Sequence, residues 1–392
     1  MIRTILELTC RDPLVSRDGR PFGMEQGNRM RGLAWLLPSV VAGSFRTALV
    51  KAHPNLDFSG DIPQRLQRIH VAGVFPAVGE ELYLPAPNDC LWNDQAHTIH
   101  RVQPVAFREG EGGDFPEAPL QPVMLKEEQA PDDFKPQTPP AWWPLRKYAQ
   151  WLTDPETSRA SAWFDSSFLN RAFQESREHV KLDAGTGAAE ESRLFATTGL
   201  TLTCLPRFGV QPTLPQAERC AAVTLTARVT LDDRTFDHLT SFQMWHPLGG
   251  ERRLVHWKSL NNSQRWSCPH AVGTTLKHAK QVRMVLATPA IFREGWKPGW
   301  LDGNLEGSPP GSTVTLKLVG VGIQRWRAVS GWSLAVPRGP KPIRRMVPAG
   351  GVYYFTLING HADALTSCWL ESVCDDEQDR RDGFGLAVWG TW

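Results

Sequence analysis

The 392-residue sequence lacks a run of about 18 apolar residues, so no segment reads as a membrane-spanning helix. It opens MIRTILELTC and then meets Arg11 and Asp12, without the basic-apolar-small pattern of a secretory leader, so a cytoplasmic protein is expected. Cysteine is sparse: Cys10, Cys90, Cys204, Cys220, Cys268, Cys368 and Cys374 are odd in number, scattered, and never spaced C-x-x-C. Disulfide frameworks and zinc sites need closer or paired spacing, so these read as reduced, mostly buried thiols. No P-loop, dinucleotide fingerprint, G-x-S-x-G or H-E-x-x-H is present, which leaves nucleotide hydrolysis, triad hydrolysis and zincin chemistry without support.

Net charge is also nearly absent, at +2 from 43 basic and 41 acidic residues, which argues against a general nucleic-acid coat. The charge is segregated, however. Between Gly307 and Ala362 stand Lys317, Arg325, Arg327, Arg338, Lys341, Arg344 and Arg345 with no acid among them. From Glu109 to Lys135 there are eight acids and two lysines. A one-signed stretch on strand-rich chain can build a basic face, or can be a solvated surface whose sign is neutralised in space.

What is present reads as α+β. Residues 2–10 alternate as a strand, and RDPLVSRDGRPFG and GMEQGNRMRG form a long basic loop. Ser39 is placed to cap a helix whose Val40, Val41, Phe45, Ala48 and Leu49 fall at helical spacing. Short extended segments follow over 71–92, and an acidic, Pro-rich insertion over 109–144 is expected to be exposed. Helices with aromatic stripes are expected over 142–152 and 161–176. Residues 177–205 read as strand, glycine-rich turn, strand, and further strands are expected at 221–231, 281–292, 312–326 and 350–358.

Constellations for catalysis are thin. His97-x-x-His100 has no acidic company, and Asp132-Asp133, Asp232-Asp233 and Asp375-Asp376 fall in the acidic insertion, a turn and a helix surface. Cofactors and metals are therefore expected to be none. Glycines interleave with arginines in the basic loops and again at the close, RRDGFGLAVWGTW. Glycine permits close approach of backbone N–H groups to phosphate, and arginine adds charge-assisted contacts; the same glycines also suit plain turns. Sixteen tryptophans stand against four tyrosines, and Trp296, Trp300, Trp326 and Trp332 lie nearest glycine and basic residues, where stacking on RNA bases competes with core packing.

Several blocks, in order, resemble one family. RDPLVSRDGRPFG with LPSVVAGSFRTAL, ELYLPAPNDCLW, HVKLDAGTGAAEESRLFATTGL, PLGGERRLVHW, VRMVLATPAIFREGWKPGWLDG, RGPKPIRRMVPAGGVYYF and DGFGLAVWGTW are similar to the third Cmr subunit of type III-B CRISPR effectors, in the RAMP superfamily. The resemblance implies two ferredoxin-like (RRM-like) domains in tandem: residues 1–270 with an insertion and helical segment near 105–180, and 271–392 ending in a glycine-rich loop. It implies no catalytic centre, and a subunit that binds the repeat-derived 5′ tag of the guide RNA. It implies as partners the large polymerase-like CRISPR subunit and neighbouring backbone RAMP subunits, with target RNA met indirectly and no membrane. Carried onto this sequence, the expected RNA-binding positions are Arg17, Arg20, Arg29 and Arg31 in the first loop, and Ser39, Val41, Gly43 and Arg46 at the first helix. Lys341, Arg344 and Arg345 follow in the second basic loop, with Gly383 and Gly385 in the glycine-rich loop. That loop, G-F-G-L-A-V-W-G, is shorter in glycine than the family pattern, so it is open whether it touches RNA or packs the two halves together. Gly249-Gly250-Glu251-Arg252-Arg253 serves RNA or a partner. Two rival functions stand beside this one: a repeat-RNA-processing endonuclease, and a scaffold that contacts protein alone.

Overall fold

A computed structural model describes residues 2–18, 30–112, 120–125, 135–154, 163–260, 264–333 and 339–392. The expected positions Arg20 and Arg29, together with most of the acidic run including Asp132-Asp133, lie outside these residues.

In chain order the elements that build the molecule are β1 (Ile2–Cys10), α1 (Pro38–Lys51), β2 (His70–Val78), β3 (Glu81–Pro85), β4 (Trp142–Pro144) and α2 (Leu145–Thr153). A long hairpin, β5 (Phe173–Leu182) and β6 (Ala189–Thr201), precedes β7 (Thr224–Leu231), β8 (Gln243–Pro247) and β9 (Leu254–Leu260). The second half holds β10 (Gln281–Leu286), β11 (Thr315–Gly322), β12 (Val352–Asn359), α3 (Glu377–Arg381) and β13 (Leu386–Thr391).

Two antiparallel sheets result. The first runs β8-β9-β1-β7-β2-β3-β4, and the second places β11-β12-β10-β13 between the short edge strands Glu306–Gly307 and Glu371–Ser372. β1 is central in the first, with Leu6 opposite Ala227 and Ser259, and Leu8 opposite Leu225 and Trp257. α1 lies against this sheet because Val41, Phe45, Ala48 and Leu49 form one buried stripe at i, i+4, i+7, i+8. Phe45 meets Phe242 and Trp257 at ring-centroid distances of 5.5 and 5.9 Å.

Some expectations change. The helix begins two residues earlier than a Ser39 cap requires: Leu37 is the N-cap, Pro38 occupies the first turn, and no side chain caps it. Pro38 lacks an N–H and has its φ preset for a helix, so it substitutes for a capping side chain. Residues 163–176 are not helical; bends and turns run to Phe173, where a strand begins. There the Asp165 carboxylate takes the Ser167 N–H at 2.8 Å in a local turn, and Trp163, Phe164 and Phe168 pack 5.1–5.7 Å from the buried Trp143 ring. Aromatic burial overrides the helical spacing. Trp142 to Pro144 is likewise strand, and α2 starts at Leu145.

The chain between β3 and β4 does not stay with the first sheet. Asn88 N–H donates to Gly350 O (2.8 Å), Gln121 N–H to Val319 O (2.8 Å) and the Tyr354 hydroxyl to Val102 O (2.7 Å), so the insertion lies across the second half. Leu120 is buried there, which corrects the expectation of a wholly exposed insertion. The docking is anchored by Arg283 on β10, fully buried, which bonds the buried Asp89 carboxylate and the Trp151 carbonyl. Trp151 Nε1 donates to the same carboxylate at 2.9 Å, and Arg101 stacks 4.2 Å over the Trp151 ring.

All seven cysteines carry free thiols, five of them buried. Burial pushes the Cys10 and Cys374 thiols up to about 12, which leaves them protonated and unreactive near neutrality. Among the described residues, no helix is long and apolar enough to cross a membrane, and no three His, Cys, Asp or Glu side chains gather as a metal-ion site.

Candidate nucleic-acid interface

The second basic loop is an exposed ribbon. Arg327–Val329 pairs antiparallel with Arg344–Met346, setting Ala328 opposite Arg345 and Val329 opposite Arg344. Residues 324–328 and 340–345 are exposed along both sides. The ribbon is tied at its far end by the Lys341 N–H to Gly331 O (2.8 Å) and the Ser330 hydroxyl to Lys341 O (2.9 Å).

This ribbon meets the start of α1. One cavity of about 230 Å³ is lined by Ser39, Val40 and Gly43 from the helix, Lys341 and Arg344 from the ribbon, and Asp382 and Phe384 from the C-terminal loop. Residues 300 positions apart in sequence thus share a wall. Gly43 is exposed, and nothing stands within 4 Å of where its side chain would begin. A second cavity, about 640 Å³, lies beside it; Arg344 lines both, joined in the second by Arg293, Arg345, Asp375 and Asp376. A third, mostly apolar cleft of about 690 Å³ between the halves takes in Trp35, Trp142, Asn88 and Arg327.

The expected site residues separate into three groups. Ser39, Gly43, Lys341, Arg344 and Arg345 face the first two cavities, the larger of which sets Arg293, Arg344 and Arg345 beside Glu294, Asp375, Asp376 and Asp379. Arg344 is partly engaged: its guanidinium bonds both oxygens of Asp379 at 2.6 and 2.8 Å. Burial raises the Asp379 pKa above the ordinary carboxylate range, and the Arg344 fork opposes that rise. Arg345 is exposed, with its guanidinium 4.8 Å over the Trp326 ring.

The second group faces inward. Val41 is fully buried and its N–H donates to Leu37 O, so it offers a ligand neither side chain nor amide. Arg46 is buried, donating to Asp382 Oδ1 (2.5 Å), Ile69 O (2.7 Å) and Arg381 O (3.1 Å). Its guanidinium joins α1 and β2 to the C-terminal loop rather than reaching solvent. Gly383 and Gly385 have φ of +86° and +68°, and both are buried. A side chain at Gly383 would collide with the Val71 carbonyl of β2, and one at Gly385 would stand 2.6 Å from Cys374 Sγ. Of the two roles the sequence left open, close packing of the halves is the one this geometry displays for the loop.

Arg17 and Arg31 make the third group. Both are exposed and line neither of these two cavities. They sit on a bent arm held by the bridge of Arg17 to Gly32, the Asp18 N–H to Arg31 O (3.2 Å) and the Met30 N–H to Ala196 O on β6 (3.2 Å). The Gly249-Gly250 turn closes on the same arm, with Gly250 N–H donating to Val15 O at 2.8 Å.

The histidine and acidic pairs have structural employment. His97 takes a turn at φ +52°, and His100 is buried beside Thr98. Asp233 is gripped by Arg65 at 2.6 and 2.7 Å, which holds its carboxyl down at about 2. Asp375 accepts the Arg293 and Gly299 N–H groups, and Asp376 caps α3. Trp296 and Trp300 pack against the core, whereas Trp326 is exposed; the Trp332 side chain lies outside the described residues. The buried Asp89–Arg283 pair and the half-buried Arg228–Glu371 pair were not legible in the sequence, since no local spacing links their members.

Fold and site together define a class: a strand-rich α+β protein of two antiparallel sheets whose exposed cations and glycine turns meet where the halves join. The chain belongs to the CRISPR-associated Cas_Cmr3 family, whose model matches residues 6–392. This is the family the ordered sequence blocks resemble, and it places the chain among the subunits of Cmr-type, type III-B CRISPR effectors. Similar solved chains come from the type III-B Cmr-beta complex bound to cognate target RNA (11% identity, TM-score 0.46, covering 89% of this chain and 86% of that one). Another is from a Csm3-Csm4 subcomplex of the type III-A interference complex (8% identity, TM-score 0.33, covering 92% and 94%). No curated protein sequence matches.

Proposed function

We propose that this protein is a non-catalytic subunit that grips the repeat-derived 5′ tag of the guide RNA and docks the large polymerase-like subunit at the foot of the complex. Neighbouring backbone RAMP subunits continue the assembly, and target RNA is met indirectly. The observation that carries the reading is the shared cavity of α1's first turn and the exposed basic ribbon. Phosphate oxygens would meet Lys341 and Arg345, with the unsubstituted Gly43 surface allowing close backbone approach. Each half supports the ferredoxin-like reading by strand order. Across the first sheet four strands run β9-β1-β7-β2, the fourth, first, third and second of these four in chain order; the second sheet, read β13-β10-β12-β11, repeats that order. α1 is the first crossover of the first half, whereas the second half crosses from β10 to β11 through irregular chain. Binding is favoured over cleavage because no histidine lines any of the three cavities and the aspartates that do are engaged: Asp375 by backbone N–H groups, Asp379 by Arg344 and Asp382 by Arg46.

The test is affinity purification of the full chain from its native cell with sequencing of the RNA it retains. Guide RNAs sharing one repeat-derived 5′ end, with the polymerase-like subunit, are expected. Partners without RNA would overturn the RNA-gripping part and leave a protein scaffold.

A further inference from the structure

We infer that Trp326, backed by Arg345, is a stacking platform for one unpaired base of the bound RNA. The inference rests on the RNA-binding reading above and adds to it a specific non-electrostatic contact.

Trp326 sits at the edge of the basic ribbon, between Arg325 and Arg327 in sequence. It keeps 46% of its surface exposed although the Arg345 guanidinium lies 4.8 Å over its ring. Tryptophan is costly to expose, and elsewhere in this half the rings are used differently: Trp296, Trp300 and Trp389 all pack into the core around β12. Trp326 belongs to no such cluster. Its ring is fixed instead by a cation, which orients the indole and lowers the entropy lost on binding.

The surroundings select the occupant. Arg344 is neutralised by Asp379 and Lys317 by Glu306, but Arg325, Arg327, Lys341 and Arg345 stand exposed on the ribbon, and this edge is where a polyanion is attracted. Lys341 and Arg345 are exposed beside it. Single-stranded nucleic acid supplies both features at once, a phosphate chain for the cations and π-faces for the ring. An acidic protein segment would satisfy the charge but has no general reason to meet an indole. Arg345 would then work twice, stacking the ring from one side and neutralising a phosphate.

The experiment uses the full chain and a single-stranded RNA carrying 2-aminopurine at one position at a time. Trp326→Ala is expected to weaken binding about 10-fold, within the usual worth of one base–aromatic stack, without changing the slope of affinity against salt. Trp326→Phe should restore most of the loss. Arg345→Gln should weaken binding and also flatten the salt slope by about 0.7, one phosphate's worth on a single strand. At one probe position the 2-aminopurine fluorescence should be quenched by wild type and not by Trp326→Ala. If Trp326→Ala binds RNA like wild type while Arg345→Gln does not, the platform is wrong and the RNA reading stands. Loss of the polymerase-like subunit from purified complexes of Trp326→Ala, with RNA affinity kept, would assign the ring to a protein interface and overturn the inference. Absence of RNA binding by wild type would sink the underlying reading itself.

Discussion

Arginine in this protein does two separate jobs, and burial tells them apart. Arg46, Arg228 and Arg283 are almost wholly buried and spend their donors on carboxylates and carbonyls of distant segments. Desolvation pulls Arg228 and Arg283 down to about 10, so both stay protonated at neutral pH. Removing Arg46 strands the buried Asp382 carboxylate; Arg46→Ala should cost about 3–5 kcal/mol in a denaturant titration, the usual penalty for breaking a buried pair. Arg345→Gln, on an exposed side chain, should change stability by less than about 0.5 kcal/mol in the same titration. Arg65 and Asp233 supply a pH-dependent case. The hydrogen bonds from Arg65 depress the Asp233 pKa from 3.8 to about 2, so the folded state prefers the ionised form. Stability from this pair is therefore complete above pH 3.8 and is lost as pH falls through 2. The stability gap between wild type and Arg65→Ala, read by denaturant titration at each pH, should be full above pH 3.8 and narrow as pH falls through 2.

At the scale of elements, the C-terminal loop is sensitive to a single methyl group. Gly383 combines a left-handed φ of +86° with a carbonyl of β2 where a Cβ would sit. Gly383→Ala should cost roughly 1–2 kcal/mol in left-handed strain and more from the collision, read as a lowered melting temperature. Gly43→Ala, inside α1 with open space around it, should hold or slightly raise the melting temperature, so any RNA loss there reports on the interface. The basic ribbon is the opposite kind of element: it has two three-residue strands and mostly exposed side chains. Its substitutions should show in binding before they show in folding.

Across the whole molecule, the two sheets are joined by chain that leaves the first half and packs on the second. The Asp89–Arg283 pair at the centre of that contact is fully buried on both sides. Asp89→Asn should loosen the insertion from β10, detected as new protease cleavage between residues 86 and 125 ahead of cleavage in β1 or β7. The near-neutral net charge also makes a global prediction. RNA affinity should depend on a few local contacts; if Lys341, Arg345 and Arg325 each meet one phosphate, log affinity should fall against log salt with a slope of about −2. A slope several times steeper would place the RNA on a much larger surface.

The sequence by itself determined the α+β class, the strand at 2–10, the hairpin of 177–205 and the helix after Pro38, because period, β-branched runs and glycine turns are local signals. It also determined the family, through blocks in register from Arg11 to the C-terminus, and the segregation of positive charge onto residues 307–362. Only the tertiary structure decided which cations face solvent. Arg46 and Arg345 are alike in sequence, but one is enclosed by Asp382 and two carbonyls and the other lies open over Trp326. The same holds for the apparent helix at 161–176, unwound by burial of Trp163 and Phe164 against Trp143, and for the meeting of Gly43 with Lys341. Partners that far apart in the chain are chosen by sheet topology and packing, which no local spacing encodes.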